Sequence, residues 1–192
     1  MYQSVKDLVR TAEIQQKALS ELVIEAECHE SGSNRKEVWQ RMRSNLLTMR
    51  AAIKQGENEL GVRSKTGLTG GEAIKLKKYR AKGKTLSGDV MMAAVENAIA
   101  TNEVNAAMGV ICATPTAGSS GTLPGALFML EQRLGLSEDQ MIRFLFTAGG
   151  LGLIIANHAG IAGATGGCQE EVGSASAMAA AAAVEAAGGS PE

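Results

Sequence analysis

Val5, Leu8, Val9, Ala12, Leu19, Leu22, Val23 and Ala26 recur at spacings of three and four, which predicts an amphipathic helix running into the turn "HESGSN". Asn34 followed by Glu37 has the form of a capping box. The stripe Val38, Met42, Leu46, Met49 and Ile53 carries the next helix, with the lone Trp39 beside it as a core anchor. "GVRSKTGLTGGEAIKLKKYRAKGK" reads as a loop and then a short basic helix over about 71–81. Ser87 is placed to cap a helix bearing Val90, Met91, Ala94, Val95, Ala98 and Ile99. Two prolines and three glycines make "ICATPTAGSSGTLPG" a long loop that feeds a helix near Ala126. Ser137 and Gln140 form a second capping box, opening "EDQMIRFLFTAGGLGLIIA". Alanine's high helix propensity makes Ser174 to Ala187 the last helix. No alternating strand pattern competes, so the expected fold is all-α in a single domain.

Composition agrees with that class. Aromatic residues are 3% of the 192-residue chain, while glycine, alanine and methionine are plentiful, a mixture suited to closely approaching helices and not to a β-sandwich. The net charge of −1 gives no basic footprint for nucleic acid or an anionic membrane. A charged N-terminus is unlike a signal peptide, and Met141 to Ala156 contains Arg143 and falls short of a comfortable bilayer span. The expectation is a cytoplasmic protein bound to neither nucleic acid nor membrane. Three widely spaced cysteines without a C-x-x-C box argue against disulfides and a zinc site.

Chemistry concentrates in the second half. From Gly109 onward only Arg133 and Arg143 are basic, and 13 of the 23 glycines lie between Gly109 and Gly173. The loop hydroxyls of Thr114, Thr116, Ser119, Ser120 and Thr122, with glycine N–H groups just before a helix, suit a carboxylate or phosphate. A loop that merely caps the helix has the same composition. Cys168 in "GGCQEEVG" sits where the alanine helix begins, and a positive helix end favours a thiolate. That permits metal ligation or nucleophilic attack, and a lone cysteine among small residues is equally a packing group. His158, ten residues earlier, suits a general base, a metal ligand or a hydrogen-bond donor. Cys112 reads as packing, and Cys28, at a helix end beside His29, as solvent-side.

"TNEVNAAMGVICATPTAGSSGTLPGALF", "ATGGCQEEVGSASAMAAAAAVEAAGG" and "SKTGLTGGEAIKLKKY" together resemble the α chain of the bacterial iron–sulfur-dependent L-serine dehydratases, over nearly the whole chain. The resemblance implies a helical domain, a β chain as partner in a homo- or hetero-oligomer, and conversion of L-serine to pyruvate and ammonia. It also implies a 4Fe-4S cluster held by three cysteines, whose open iron acts as a Lewis acid on the substrate hydroxyl. Cys168 matches the first cluster cysteine, and the segment Thr114, Thr116, Gly118, Ser119, Ser120 and Gly121 matches the one that seats the substrate. The family's other two cluster cysteines, in a Cys-Asp-Pro segment and after it, are expected past Glu192, and the closing "GGSPE" reads as a link to further helices. The domain is therefore expected to be incomplete at its C-terminal end and, alone, inactive. Where the family has Asn-Ala-Ser-Ile-Ser-Gly, this chain has "HAGIAG" from His158, so His158 is a catalytic candidate that the family does not license. Two alternatives stand beside this reading: a cysteine desulfidase of the same fold, and a non-catalytic helical subunit that binds partner helices through its Gly/Ala surface.

Overall fold

The computed structural model describes residues 2–192, which form eight helices and no strand among the described residues. They are α1 (Val5–Gln15), α2 (Leu19–Ser31), α3 (Arg35–Gly56), α4 (Glu72–Arg80), α5 (Gly88–Ala106), α6 (Thr122–Leu134), α7 (Glu138–His158) and α8 (Gly163–Ala186). The all-α expectation holds. Both capping boxes form: Asn34 accepts from the Glu37 N–H and Ser137 from the Gln140 N–H, each answered by the partner side chain. Ser87 makes no such bond.

α7 is the axis of the bundle. Met141, Ile142, Phe144, Leu145, Phe146, Ala148, Leu151 and Ile154 are all buried, so the helix is enclosed on most of its circumference by α8, α2 and α3. By length and composition α7 is apolar enough to cross a membrane; more than half of that apolar stretch is buried within the bundle, as the core helix of a globular domain requires.

The first amphipathic stripe splits in two. Gln16 takes a left-handed conformation (φ 51°) and its N–H bonds back to Ala12 and Glu13, ending α1. The stripe contains the reason: between Ala12 and Leu19 its apolar positions lapse for two turns, so no buried face carries the helix across. The start of α2 is instead held from the far end of the chain. Glu185 of α8 accepts from the Ser20 N–H at 3.1 Å and from the Thr147 hydroxyl at 2.9 Å, tying α2, α7 and α8 at one buried point. On the same side Glu21 binds Arg35 through both oxygens and Arg143 at 3.1 Å, while Arg143 lies 5.8 Å over the Trp39 ring. Trp39 in turn meets Phe146 at 6.1 Å, which makes it a half-buried anchor between α3 and α7.

α3, α5 and α6 approach through residues without side chains. A Cβ at Gly56 would overlap the Ala100 carbonyl, one at Gly121 the Ala98 carbonyl, and one at Gly125 would lie 2.8 Å from the Ala94 oxygen. α4 is fixed to α5 by polar contacts: buried Glu103 accepts from the Glu72 N–H at 2.5 Å and the Ala73 N–H at 3.2 Å, and Arg80 donates to buried Glu96 at 2.6 Å.

Two outcomes check this packing. Gly125→Ala forces α6 away from α5 and is expected to lower unfolding free energy by about 1–3 kcal/mol, read from the urea midpoint. Glu21 is held down to about 2, chiefly by the Arg35 hydrogen bonds and further by Arg143, against an ordinary value of 4.5. Its contribution is complete above pH 4.5 and disappears as pH falls toward 2. Urea midpoints measured across that range should therefore converge for the parent and Glu21→Gln, which differ at neutral pH.

Candidate functional site

The hydroxyl loop links α5 to α6 and is built from both ends. Asn102 of α5 accepts from the Gly121 N–H at 3.1 Å and from the Ser120 hydroxyl at 3.4 Å, so it does for the start of α6 what Gly121, the residue at the cap, has no side chain to do. Asn105, one turn on, donates to the Ala117 carbonyl at 3.0 Å. Within the loop, Ser119 donates to the Thr114 carbonyl at 3.2 Å and lies 3.2 Å from the Thr116 hydroxyl. Ser119 and Ser120 are buried; Ala117 and Gly118 are exposed. Among the described residues, no acceptor takes the N–H groups of Ala117 and Gly118, and the enclosed Thr114 hydroxyl has no partner. The loop thus presents unused backbone donors just ahead of α6.

Cys168 lies at a second helix start. Gly167 interrupts α8 with φ 74° and ψ −174°, a conformation only glycine adopts without strain, and the alanine-rich part of α8 begins at Cys168. The last helix therefore begins eleven residues earlier than the alanine run suggests, at Gly163, with a short glycine-rich segment before the kink. Cys168 is exposed. It does not fill a hole between neighbours.

The two helix starts are joined by one side chain. Glu171, three residues after Cys168, accepts from the Thr116 hydroxyl at 2.6 Å. Its carboxylate lies over two glycines, where a Cβ would come within 2.7 Å of Oε2 at Gly118 and 2.6 Å at Gly163. From sequence, Glu171 only marks where a helix begins; its reach across to the loop is a tertiary fact.

Thr114, Thr116, Gly118, Ser119, Ser120 and Gly121 are thus brought beside the turn that carries Cys168. The other candidates lie apart. His158 ends α7 with Nε2 hydrogen-bonded to the Gln3 carbonyl, and among the described residues no hydrogen bond joins it to the hydroxyl loop. Cys112 is half-buried with its thiol on the Asn45 carbonyl at 3.5 Å, and burial pushes that thiol up from its ordinary value. Cys28 packs half-buried against the core, where a solvent-side position was expected. Among the described residues no three His, Cys, Asp or Glu side chains gather as a metal site. As an anchor for an iron–sulfur cluster Cys168 fits: it is an exposed thiol at a helix start, with two glycines before it. It is one sulfur ligand, and no second cysteine lies beside it among the described residues.

The family model for the serine dehydratase alpha chain matches residues 14–192. The chain belongs to that family. It is 53% identical over 192 residues, all of this chain and 63% of the relative, to a probable L-serine dehydratase alpha chain of Bacillus subtilis (strain 168). A probable L-serine dehydratase alpha chain of Latilactobacillus sakei is 70% identical over 101 residues, 53% of this chain and 48% of the relative. An L-serine dehydratase alpha chain of Peptoniphilus asaccharolyticus is 37% identical over 172 residues, 90% of this chain and 59% of the relative. The chain spans less than two thirds of the length of each of these relatives.

Replacing Asn102 by Ala removes two hydrogen bonds from the start of α6. The expected result is a loss of about 1 kcal/mol in unfolding free energy, with faster hydrogen exchange at the Gly121 amide than at amides in the middle of α6.

Proposed function

We propose that this chain is the α-type domain of an L-serine dehydratase, working with a β chain to convert L-serine to pyruvate and ammonia. The observation that carries the reading is the hydrogen bond from Thr116 to Glu171, which sets the hydroxyl loop against the turn of α8 bearing Cys168. Membership of the family supplies the reaction: loss of the Cα proton and of the hydroxyl as water leaves an aminoacrylate, which tautomerises and hydrolyses.

The loop's part is to bind and orient. The N–H groups of Ala117 and Gly118, which no acceptor among the described residues takes, are donors the loop can turn to the substrate. Fixing the substrate there presents its β-hydroxyl in a single orientation, the entropic part of catalysis. Ser119 and Ser120 support the loop from beneath, since their hydroxyls are already engaged with Thr114 and Asn102.

Cys168 would hold a 4Fe-4S cluster as one of its ligands, the others coming from elsewhere in the assembled enzyme. When bound, such a cluster supplies a Lewis acid that makes hydroxide a better leaving group. Cys168 is exposed at the first position after the Gly167 break, where a cluster can reach it. A cytoplasmic location accords with reduced thiols on all three cysteines.

The test is the α chain co-produced with its β chain and treated anaerobically with iron and sulfide. Broad visible absorbance and pyruvate release from L-serine are expected. Cys168→Ala should lose the absorbance and lower turnover by more than about a hundredfold. A cluster that forms without pyruvate from L-serine, or one that survives in Cys168→Ala, overturns the corresponding part of the reading. Sulfide released from L-cysteine in place of pyruvate from L-serine identifies a desulfidase.

A further inference from the structure

Glu171 is an anomaly in charge. Among the described residues it forms no ion pair, and the two basic residues of this half of the chain are elsewhere: Arg143 on Glu21 and Arg133 in the last turn of α6. A half-buried carboxylate with no cation is costly unless hydrogen bonds or a helix dipole offset it. Both are present. Glu171 sits in the first turn after the Gly167 break, where negative charge is favoured, and it takes a short bond from the Thr116 hydroxyl. Gly118 and Gly163 leave the space the carboxylate occupies. Three separate stretches of chain therefore meet on one side chain: the hydroxyl loop, the start of α8 before the kink, and the turn after Cys168.

We propose that Glu171 is a positioning residue, whose carboxylate holds the loop Thr114 to Gly121 in register with Cys168 by way of Thr116. The proposal rests on the functional reading above for its kinetic consequence, though not for its structural one. Glu171 acts through Thr116 and the loop backbone, so its loss loosens the substrate site and leaves the Cys168 sulfur in place. A glutamine retains the acceptor oxygen and so retains most of the tie.

The experiment uses the α chain with its β chain, reconstituted anaerobically, as Glu171→Ala, Glu171→Gln, Thr116→Val and the Glu171→Ala/Thr116→Val double variant. Glu171→Ala and Thr116→Val are each expected to raise KM for L-serine about tenfold with kcat within about twofold, and the double variant to be no worse than either, as for one shared interaction. Glu171→Gln should stay within about threefold of the parent KM. Cluster absorbance should be unchanged in all four. Independently of activity, hydrogen exchange of the amides across 114–121 should quicken about tenfold in Glu171→Ala and stay near the parent rate in Glu171→Gln. Multiplying effects in the double variant, a glutamine as damaging as alanine, or unchanged loop exchange in Glu171→Ala each overturn the proposal. A parent enzyme that releases no pyruvate from L-serine overturns the functional reading instead, and loop exchange still decides the tie.

Discussion

α6 reaches the backbone of α5 only because Gly121 and Gly125 carry no side chain, and the position of the whole candidate site follows from that approach. With the helix backbones this close, Asn102 on α5 can accept from the Gly121 amide at the cap of α6, and Asn105 can pin the loop carbonyl one turn away. The loop is consequently held along one side by a single helix face. Its other side is left for Thr116 and Gly118 to turn toward α8. Close packing of small residues usually serves stability alone; here it also decides where a set of hydroxyls points.

Polar groups do more of the assembly than the composition suggests. Glu185 joins three helices through Ser20 and Thr147, and Glu103 accepts both leading amides of α4. Burial foremost raises the Glu103 carboxyl above its ordinary value, a cost partly offset by the amides it accepts. These contacts are specific in a way that Ala-rich surfaces are not. The buried face of α8 is formed largely from alanine, and alanine offers little to distinguish one helix register from the next. One carboxylate with two fixed donors supplies that distinction.

Local chemistry was readable where it acts locally. Both capping boxes, the long loop before α6 and the central helix α7 follow from residues within a few positions of each other. The split between α1 and α2 was hidden because its cause is partly remote: Glu185, at the other end of the chain, holds the start of α2. The early start of α8 was hidden for another reason. Glycine runs such as "GATGG" read as loop by propensity, yet the segment before Gly167 is helical, with the Thr165 and Gly166 amides bonded to the Ala162 carbonyl. For the site, hydroxyls and thiol were recognisable as residue types, whereas Glu171 was not, since no periodicity marks a side chain that reaches 55 positions back along the chain.

Glycine has two separate duties around Cys168. At Gly118 and Gly163 its missing side chain makes room for the Glu171 carboxylate; at Gly167 its backbone freedom ends one helical segment and starts another. If α8 ran straight through residue 167, Cys168 would sit in mid-helix instead of at the first position after a break. The break creates a new helix start at the thiol itself. The same break also puts Glu171 in a first turn, where its own charge is tolerated. A single positive-φ glycine thus places at one helix start both the sulfur and the carboxylate that ties its turn to the hydroxyl loop.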